Sequence, residues 1–449
     1  MTQAQPQSMK PFFLIWSGQA VSLFGSALVQ FALIWWLTDT TGSATVLAGA
    51  TIVGMLPQIF LSPIAGTFVD RWNRRQVMLI ADSVIALATL VLAGLFVLDM
   101  IEIWQVYLLM FVRSTAGAFH WPAMQASTTL MVPQRHYSRI AGMNQTLFGL
   151  SNIVSPPLGA LLLAILPIQG VLAIDVVTAL FAIGPLFFIA IPQPETAPAG
   201  AVASRPSVMS EFREGLRFVW SWPGLLMILV MATVINMLVN PAMSLLPLLV
   251  TEHFGGGASQ LAGLQSIFGI GMVLGGVALS IWGGFKRRIV TAMLGIILEG
   301  AGVAAVGFAP ADGFALAVGA FFVFGLLNTI ANGSLQAVLL AAVPPEIQGR
   351  VFTLVSSGAA AAAPLGLVIA GPVADAAGVQ FWFVIGGVAM SAFGIIAFFV
   401  PAIMHIEDKD QHRSTDHGLD QPGLDGSKLA QQDVQMGALE VIAAAEALD

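Results

Sequence analysis

Four ionisable side chains stand where the surrounding sequence is almost wholly apolar: Asp82, Arg113, Asp175 and Glu299. A charge held in hydrocarbon without a partner costs several kcal/mol, so each must face water, pair, or change its protonation state. Arg113 lies some nine residues into its apolar run and has three ways out: water, a carboxylate, or an anionic ligand. Glu299, about ten residues into its run, can shed the cost by taking up a proton. Proton coupling needs that behaviour, and a silent neutral Glu would show it too. Asp82 sits two turns into its run, within expected reach of loop arginines. Asp175 lies near the start of its run, where a structural role is expected. A fifth group is the dense knot Asp70-Arg71-Trp72-Asn73-Arg74-Arg75, four charges between two long apolar stretches.

The elements that carry these groups follow from composition. Charged residues are 9% of the 449-residue chain and hydrophobic ones 57%, against about a quarter charged in ordinary soluble domains. Long apolar runs in such a chain read as membrane helices of about 20 residues each. Twelve are expected, at 12–37, 44–69, 76–98, 104–131, 140–166, 170–192, 222–250, 259–284, 289–309, 314–342, 351–374 and 379–403. The fold class is therefore all-α integral membrane. The first run, Phe12–Leu37, is too long for the apolar core of a signal peptide and is read as a retained first helix. There is no cysteine, which excludes disulfides and thiolate metal sites.

Charge placement orients the spans. Of the 17 Lys and Arg, 16 fall before span 1 or after the even-numbered spans, all on one side. The opposite loops carry Asp39, Asp99, Glu102, Glu252 and Asp312. By the positive-inside rule the basic side is cytoplasmic, with both termini there. The expected location is a bacterial-type cytoplasmic (inner) membrane. Residues 1–11 form a short N-terminus and 404–449 an acidic tail, expected to be disordered. The linker 193–221 ends in an amphipathic pattern, with Ser210 as N-cap and Phe212, Leu216, Val219 and Trp220 on one face.

The chain repeats itself. Gln125, Ala126, Val132, Pro133 and Arg139 match Gln336, Ala337, Val343, Pro344 and Arg350 at a constant offset of 211. Spans 1–6 (12–192) and 7–12 (222–403) thus read as two parallel, pseudo-symmetric six-helix halves. Secondary transporters use this architecture, with substrate bound where the halves meet. Amide side chains concentrate in the first span of each triplet and in span 5. Gln19 and Gln30 lie eleven residues apart on one face, and Asn236/Asn240 and Asn328/Asn332 are i, i+4 pairs. Arg113, Gly117, His120 and Met124 form a further stripe. Together Gln19, Gln30, Arg113, His120, Asn236, Asn240, Asn328 and Asn332 are the expected substrate-cavity residues, though any one amide could equally be glue between helices.

The loop after span 2 resembles the signature of the major facilitator superfamily: Gly66, then Asp70 and Arg71, then Arg74 and Arg75, with Asn73 where that family usually has Gly. Arg113-Ser-Thr-Ala-Gly117 is similar to the family's mid-membrane Arg motif. Ser155-Pro156-Pro157-Leu158-Gly159-Ala160 looks like a degraded form of its Gly-Pro antiporter motif. The strings "DRWNRRQVMLIAD" and "WSGQAVSLFGSALVQFALIWWL" resemble the macrolide-efflux branch of drug:proton antiporters. The resemblance implies export of amphipathic small molecules driven by the proton gradient, by alternating access. It also implies a proton-coupling role for Arg113; among the buried carboxyls, Glu299 first and Asp82 second are the expected proton carriers. Siderophore or lysophospholipid export, or an uncoupled facilitator, stays open as the alternative. In the second half "WGGFKRR" keeps the bases but has Gly283 near the Asp70 position. The acid in "DRWNRR" is therefore more than a topological anchor. Asp70, with Gly66, Arg71, Arg74, Arg75 and Asp82, is expected to form a conformational latch across the basic side.

Other classes fit poorly. H-E-x-x-H, G-x-S-x-G and P-loop patterns are absent and the six His are scattered, so no enzyme is expected. No cofactor is expected beyond the proton gradient as energy source. The expected partners are a small amphipathic substrate, protons and the lipid bilayer. Nucleic acid is not expected as a partner, and the chain is expected to be a monomer.

Overall fold

The computed structural model of the protein describes residues 9–69, 72–193, 216–343 and 348–407. Among these, twelve helices of 20 residues or more follow one another, with no strand. They are α1 (Lys10–Thr41), α2 (Ala44–Val69), α3 (Arg74–Val97), α4 (Ile103–Met131), α5 (Tyr137–Ile165) and α6 (Ile168–Phe188). The second set is α7 (Pro223–Ser244), α8 (Ala258–Trp282), α9 (Arg288–Phe308), α10 (Phe314–Ala342), α11 (Gln348–Ala377) and α12 (Val379–Phe398). Eleven of them are long and apolar enough to cross a membrane. The exception is α4, whose apolar run is diluted by Arg113, His120 and Gln125. Asp70, Arg71, the start of the linker with Ser210 and Phe212, and the tail from Asp408 lie outside the described residues. Of the amphipathic linker segment, 216–221 is helical, with Val219 buried and Trp220 exposed.

The packing repeats itself as the sequence does. In the first half α1 packs on α5 and α6, α2 on α4, and α3 on α4 and α6. In the second half α7 packs on α11 and α12, α8 on α10, and α9 on α10 and α12. Every pairing recurs six helices later. The halves meet along two seams, α2 with α11 and α5 with α8, which exchange under the same shift.

Helix ends show what stops and starts each element. Asn73 caps α3, its Oδ1 accepting from the Gln76 N–H at 3.3 Å. That cap explains why an Asn serves where the resemblance leads one to expect Gly. Arg75 then reaches back to α6. Its Nε donates to the Leu186 carbonyl and its Nη2 to that of Phe187 at 2.6 Å. A cation on the last carbonyls of a helix is favoured by the helix dipole. Buried Arg74 donates from Nη1 to the Ala126 carbonyl of α4 at 3.3 Å. So two arginines of the knot tie α3 to α4 and α6 within the first half. Gly66, on α2, has nothing near the place a Cβ would occupy.

The face carrying Lys10, Arg74 and Arg139 is termed the basic face, and its opposite the distal face. Near the basic face each half has its own apolar core. One contains Phe12, Val77, Met131 and Ile140; the other contains Leu225, Ile289, Val338 and Ile403. A further cluster joins the halves, and its members sit toward the distal face. It unites Phe31, Leu47 and Ala160 with Leu245, Leu261, Phe321 and Ala370. Close helix approach supports it. Ser266 of α8 donates to the Ile153 carbonyl of α5 at 2.8 Å, and a Cβ on Gly269 would lie 2.7 Å from Ile153 Cγ1.

Candidate functional site

Asp175 of α6 is the partner of Arg113, with Nη1 2.8 Å from Oδ2. The side chains are 12% and 1% exposed, so the pair is nearly dry. Ser26 of α1 donates to Asp175 Oδ1 at 3.1 Å. Thr89 of α3 lies 2.8 Å from Oδ2 and also meets Arg113 Nη1. Pairing thus resolves the cost of Arg113, and Asp175 is its counter-ion. Arg113 still borders a cavity of about 370 Å³ together with Gln30, Gln58, Thr51 and Ser114.

A second polar group lies closer to the basic face. Asp82 of α3 is buried and accepts from Gln19 Nε2 of α1 at 2.8 Å. His120 Nε2 of α4 is 3.2 Å from Asp82 Oδ1, off the line of a hydrogen bond, and that nitrogen has no hydrogen-bond partner. Contrary to expectation, among the described residues Asp82 pairs with neither Arg74 nor Arg75. Arg75 shares its side of α3 but lies seven residues away, about 10 Å along the axis, and is committed to α6. A cavity of about 210 Å³ opens beside the group, with Trp16, Trp121 and Phe148 as aromatic walls. Trp16 Nε1 donates to Asn144 Oδ1 at 2.7 Å on its rim.

The two groups are stacked tiers. From Gln19 to Ser26, from Asp82 to Thr89 and from His120 to Arg113 the step is seven residues, two helical turns. Three helices therefore present polar side chains in register at two depths. Ser26 and Ile85 line both cavities, so the tiers adjoin.

The second half has a third cavity, of about 270 Å³. Its carboxyl is Glu299 of α9, 2% exposed, which accepts from Asn328 Nδ2 of α10 at 2.7 Å. Asn236, Asn240 and Asn332 share the cavity. Asn240 Nδ2 donates to Asn236 Oδ1 at 2.8 Å, and Asn332 Nδ2 to the Asn328 carbonyl at 2.9 Å. The eight expected cavity residues are thus distributed over three cavities: Gln19 and His120 in one, Gln30 and Arg113 in another, the four Asn in the third.

A family model described as transmembrane secretion effector, a major facilitator family, matches residues 1–433. The chain belongs to the major facilitator superfamily. Macrolide efflux protein A of Streptococcus pyogenes is 33% identical over 399 residues, covering 89% of this chain and 98% of that protein. The multidrug efflux pump Tap of Mycolicibacterium fortuitum is 29% identical over 414 residues, covering 88% and 97%. Among solved structures, the nucleoside transporter NupG aligns with a TM-score of 0.63 at 14% identity, covering 88% of this chain and 99% of that one. A bacterial homologue of the human lysosomal transporter Spinster aligns at 0.62 and 13%, covering 88% and 96%. Those two likenesses establish the fold. The chain is a multi-pass membrane transporter and not an enzyme.

The transporter also holds a residue that the sequence reading passed over. Asp375, in the last turn of α11, was not counted among the acids of the distal loops. Its Oδ1 accepts from the Ala44 N–H at 2.6 Å, and its Oδ2 from Thr45 Oγ1 at 2.6 Å and the Thr45 N–H at 3.1 Å. Ser43 Oγ donates to Oδ2 at 3.3 Å. Nearby Glu252, in the short helical segment Leu249–His253 that follows α7, has its carboxyl pushed above its ordinary value by burial and by the charge of Asp375. An acid ending a span beside Gly and Ala gives no periodic signal, and only the α2–α11 seam reveals its use.

Proposed function

We propose that this transporter exports amphipathic, macrolide-like small molecules in exchange for protons, by alternating access. The observation that carries the reading is a matched pair of buried carboxyls. Asp82 and Glu299 lie on corresponding helices, α3 and α9, one in each half. Each opens on a cavity and is bound by a neutral amide, Gln19 or Asn328, rather than by Lys or Arg. An amide partner tolerates either protonation state of a carboxyl, where a guanidinium favours the ionised one. Aromatic and amide walls suit an amphipathic cargo. The efflux relatives named above point the same way. In this reading the halves rock about their seams, α4 is the twelfth span, and the basic face is cytoplasmic with both termini in that compartment of an inner membrane.

Proteoliposomes holding an imposed pH gradient test it. Uptake of a labelled macrolide should follow the gradient and collapse when the gradient is dissipated. Glu299→Gln or Asp82→Asn should uncouple movement from the gradient while leaving binding in place. Macrolide movement that ignored the gradient, with both variants transporting like the parent, would remove proton antiport from the account.

A further inference from the structure

Asp375 belongs to the second half, yet among the described residues all four hydrogen bonds of its side chain go to Ser43, Ala44 and Thr45 of the first. Those residues start α2, whose first N–H groups have no partner inside the helix. A carboxylate there satisfies two of them and is favoured by the positive end of the helix dipole. A local cap already exists, because the Val46 N–H lies 3.4 Å from Ser43 Oγ. Asp375 therefore adds a second cap from more than 300 residues away. The approach is close: a Cβ on Gly371, one turn earlier in α11, would lie 2.9 Å from Thr45 Cα and 3.2 Å from Ala48 Cβ. The same face holds the apolar cluster that joins the halves. A cap within one half survives any rigid movement of that half. A cap between halves must break when they separate at its end.

We propose that Asp375 and the Ser43–Thr45 start of α2 form a distal latch, which holds the halves together at that face and must release for the face to open. The latch uses residues outside the Gly66–Arg75 loop and sits at the opposite face of the bundle. It rests on the alternating-access reading, and it is read in a different experiment. The chain has no cysteine, so Ala160→Cys places a unique thiol in the joining cluster on α5, at the other seam and away from the latch. Purified protein in lipid, without cargo or pH gradient, is reacted with a membrane-impermeant maleimide. Adding Asp375→Ala should raise the labelling rate about 10-fold, the shift expected from losing charge-assisted bonds worth about 1.5 kcal/mol or more. Asp375→Asn should fall between. Should Asp375→Ala fold poorly, Ser43→Ala with Thr45→Val removes the side-chain donors from the other half and should raise labelling in the same direction. A lower melting temperature with labelling within about two-fold of the parent in both variants would make Asp375 a helix cap only and overturn the latch. Loss of proton coupling with the labelling response intact would count against the transport mechanism and leave the latch standing.

Discussion

Removing Asp175 strands Arg113. In Asp175→Asn the guanidinium keeps Thr89 as a neutral neighbour but loses its one ion-pair partner among the described residues, held at 2.8 Å with both side chains nearly dry. Breaking a buried pair by deleting one partner costs about 3–5 kcal/mol, because the remaining charge stays buried without compensation. Deleting both charges is far milder, since the desolvation penalty disappears with them. Asp175→Asn should therefore destabilise the fold by about 3 kcal/mol or more, and Arg113→Gln by a similar amount. The double variant should cost less than either single change, giving a coupling of about 3 kcal/mol or more. Unfolding of purified protein by SDS in mixed micelles, followed by tryptophan fluorescence, measures all three. Additive single and double effects, with coupling under about 0.5 kcal/mol, would refute the claim that Arg113 is held by Asp175 rather than by cavity water.

The other expectations are smaller or more local. Gly325→Ala should cut the yield of folded protein sharply, because its Cβ would collide with the Phe268 carbonyl across the α8–α10 crossing; Gly276→Ala, with Thr329 Cγ2 at 3.6 Å, should be tolerated, and size-exclusion yield compares them. Arg75→Ala should lower stability by about 0.5–2 kcal/mol through loss of the cation at the end of α6, with Arg75→Lys recovering part, as thermal melts would show. Asn328→Leu should cost about 1–3 kcal/mol, since it leaves the buried Glu299 carboxyl without its amide. Glu252 titrates above its ordinary value of 4.5. Folding thus favours its protonated form, and the stability this contributes is present at low pH and is lost as pH rises through the raised value. Melting temperature should therefore fall slightly across that window in the parent and less in Glu252→Gln.

The span order, the repeat and the basic side were legible because they rest on composition and period, which need no knowledge of neighbours. The Asp70 pairing lies outside the described residues. Side-chain partners were legible only in part. Arg113 was expected to face water, pair with a carboxylate or bind an anion, and nothing in the sequence names the partner. The choice follows from α3 packing on both α4 and α6, which brings Asp175 to Arg113. Asp82 was assigned to loop arginines because both are near one end of α3. Rise along the helix separates them by two turns, and Arg75 finds the carbonyls of α6 first. The seven-residue steps in α1, α3 and α4 were present in the sequence, but they become tiers only when the three helices are known to face one another. Asp375 shows the same limit, since its donors belong to the other half.

The tiers have a consequence for how this protein can change. Their residues, from Gln19 to Asp175, all belong to one half and keep their spacing when that half moves as a body. They act as a keel rather than as a moving joint. Altering Arg113 or Asp175 alone should register first as lost protein, and that pair would need joint replacement to be tolerated. Selection for faster transport or a new cargo should instead collect single changes along the two seams and in the amide wall around Glu299.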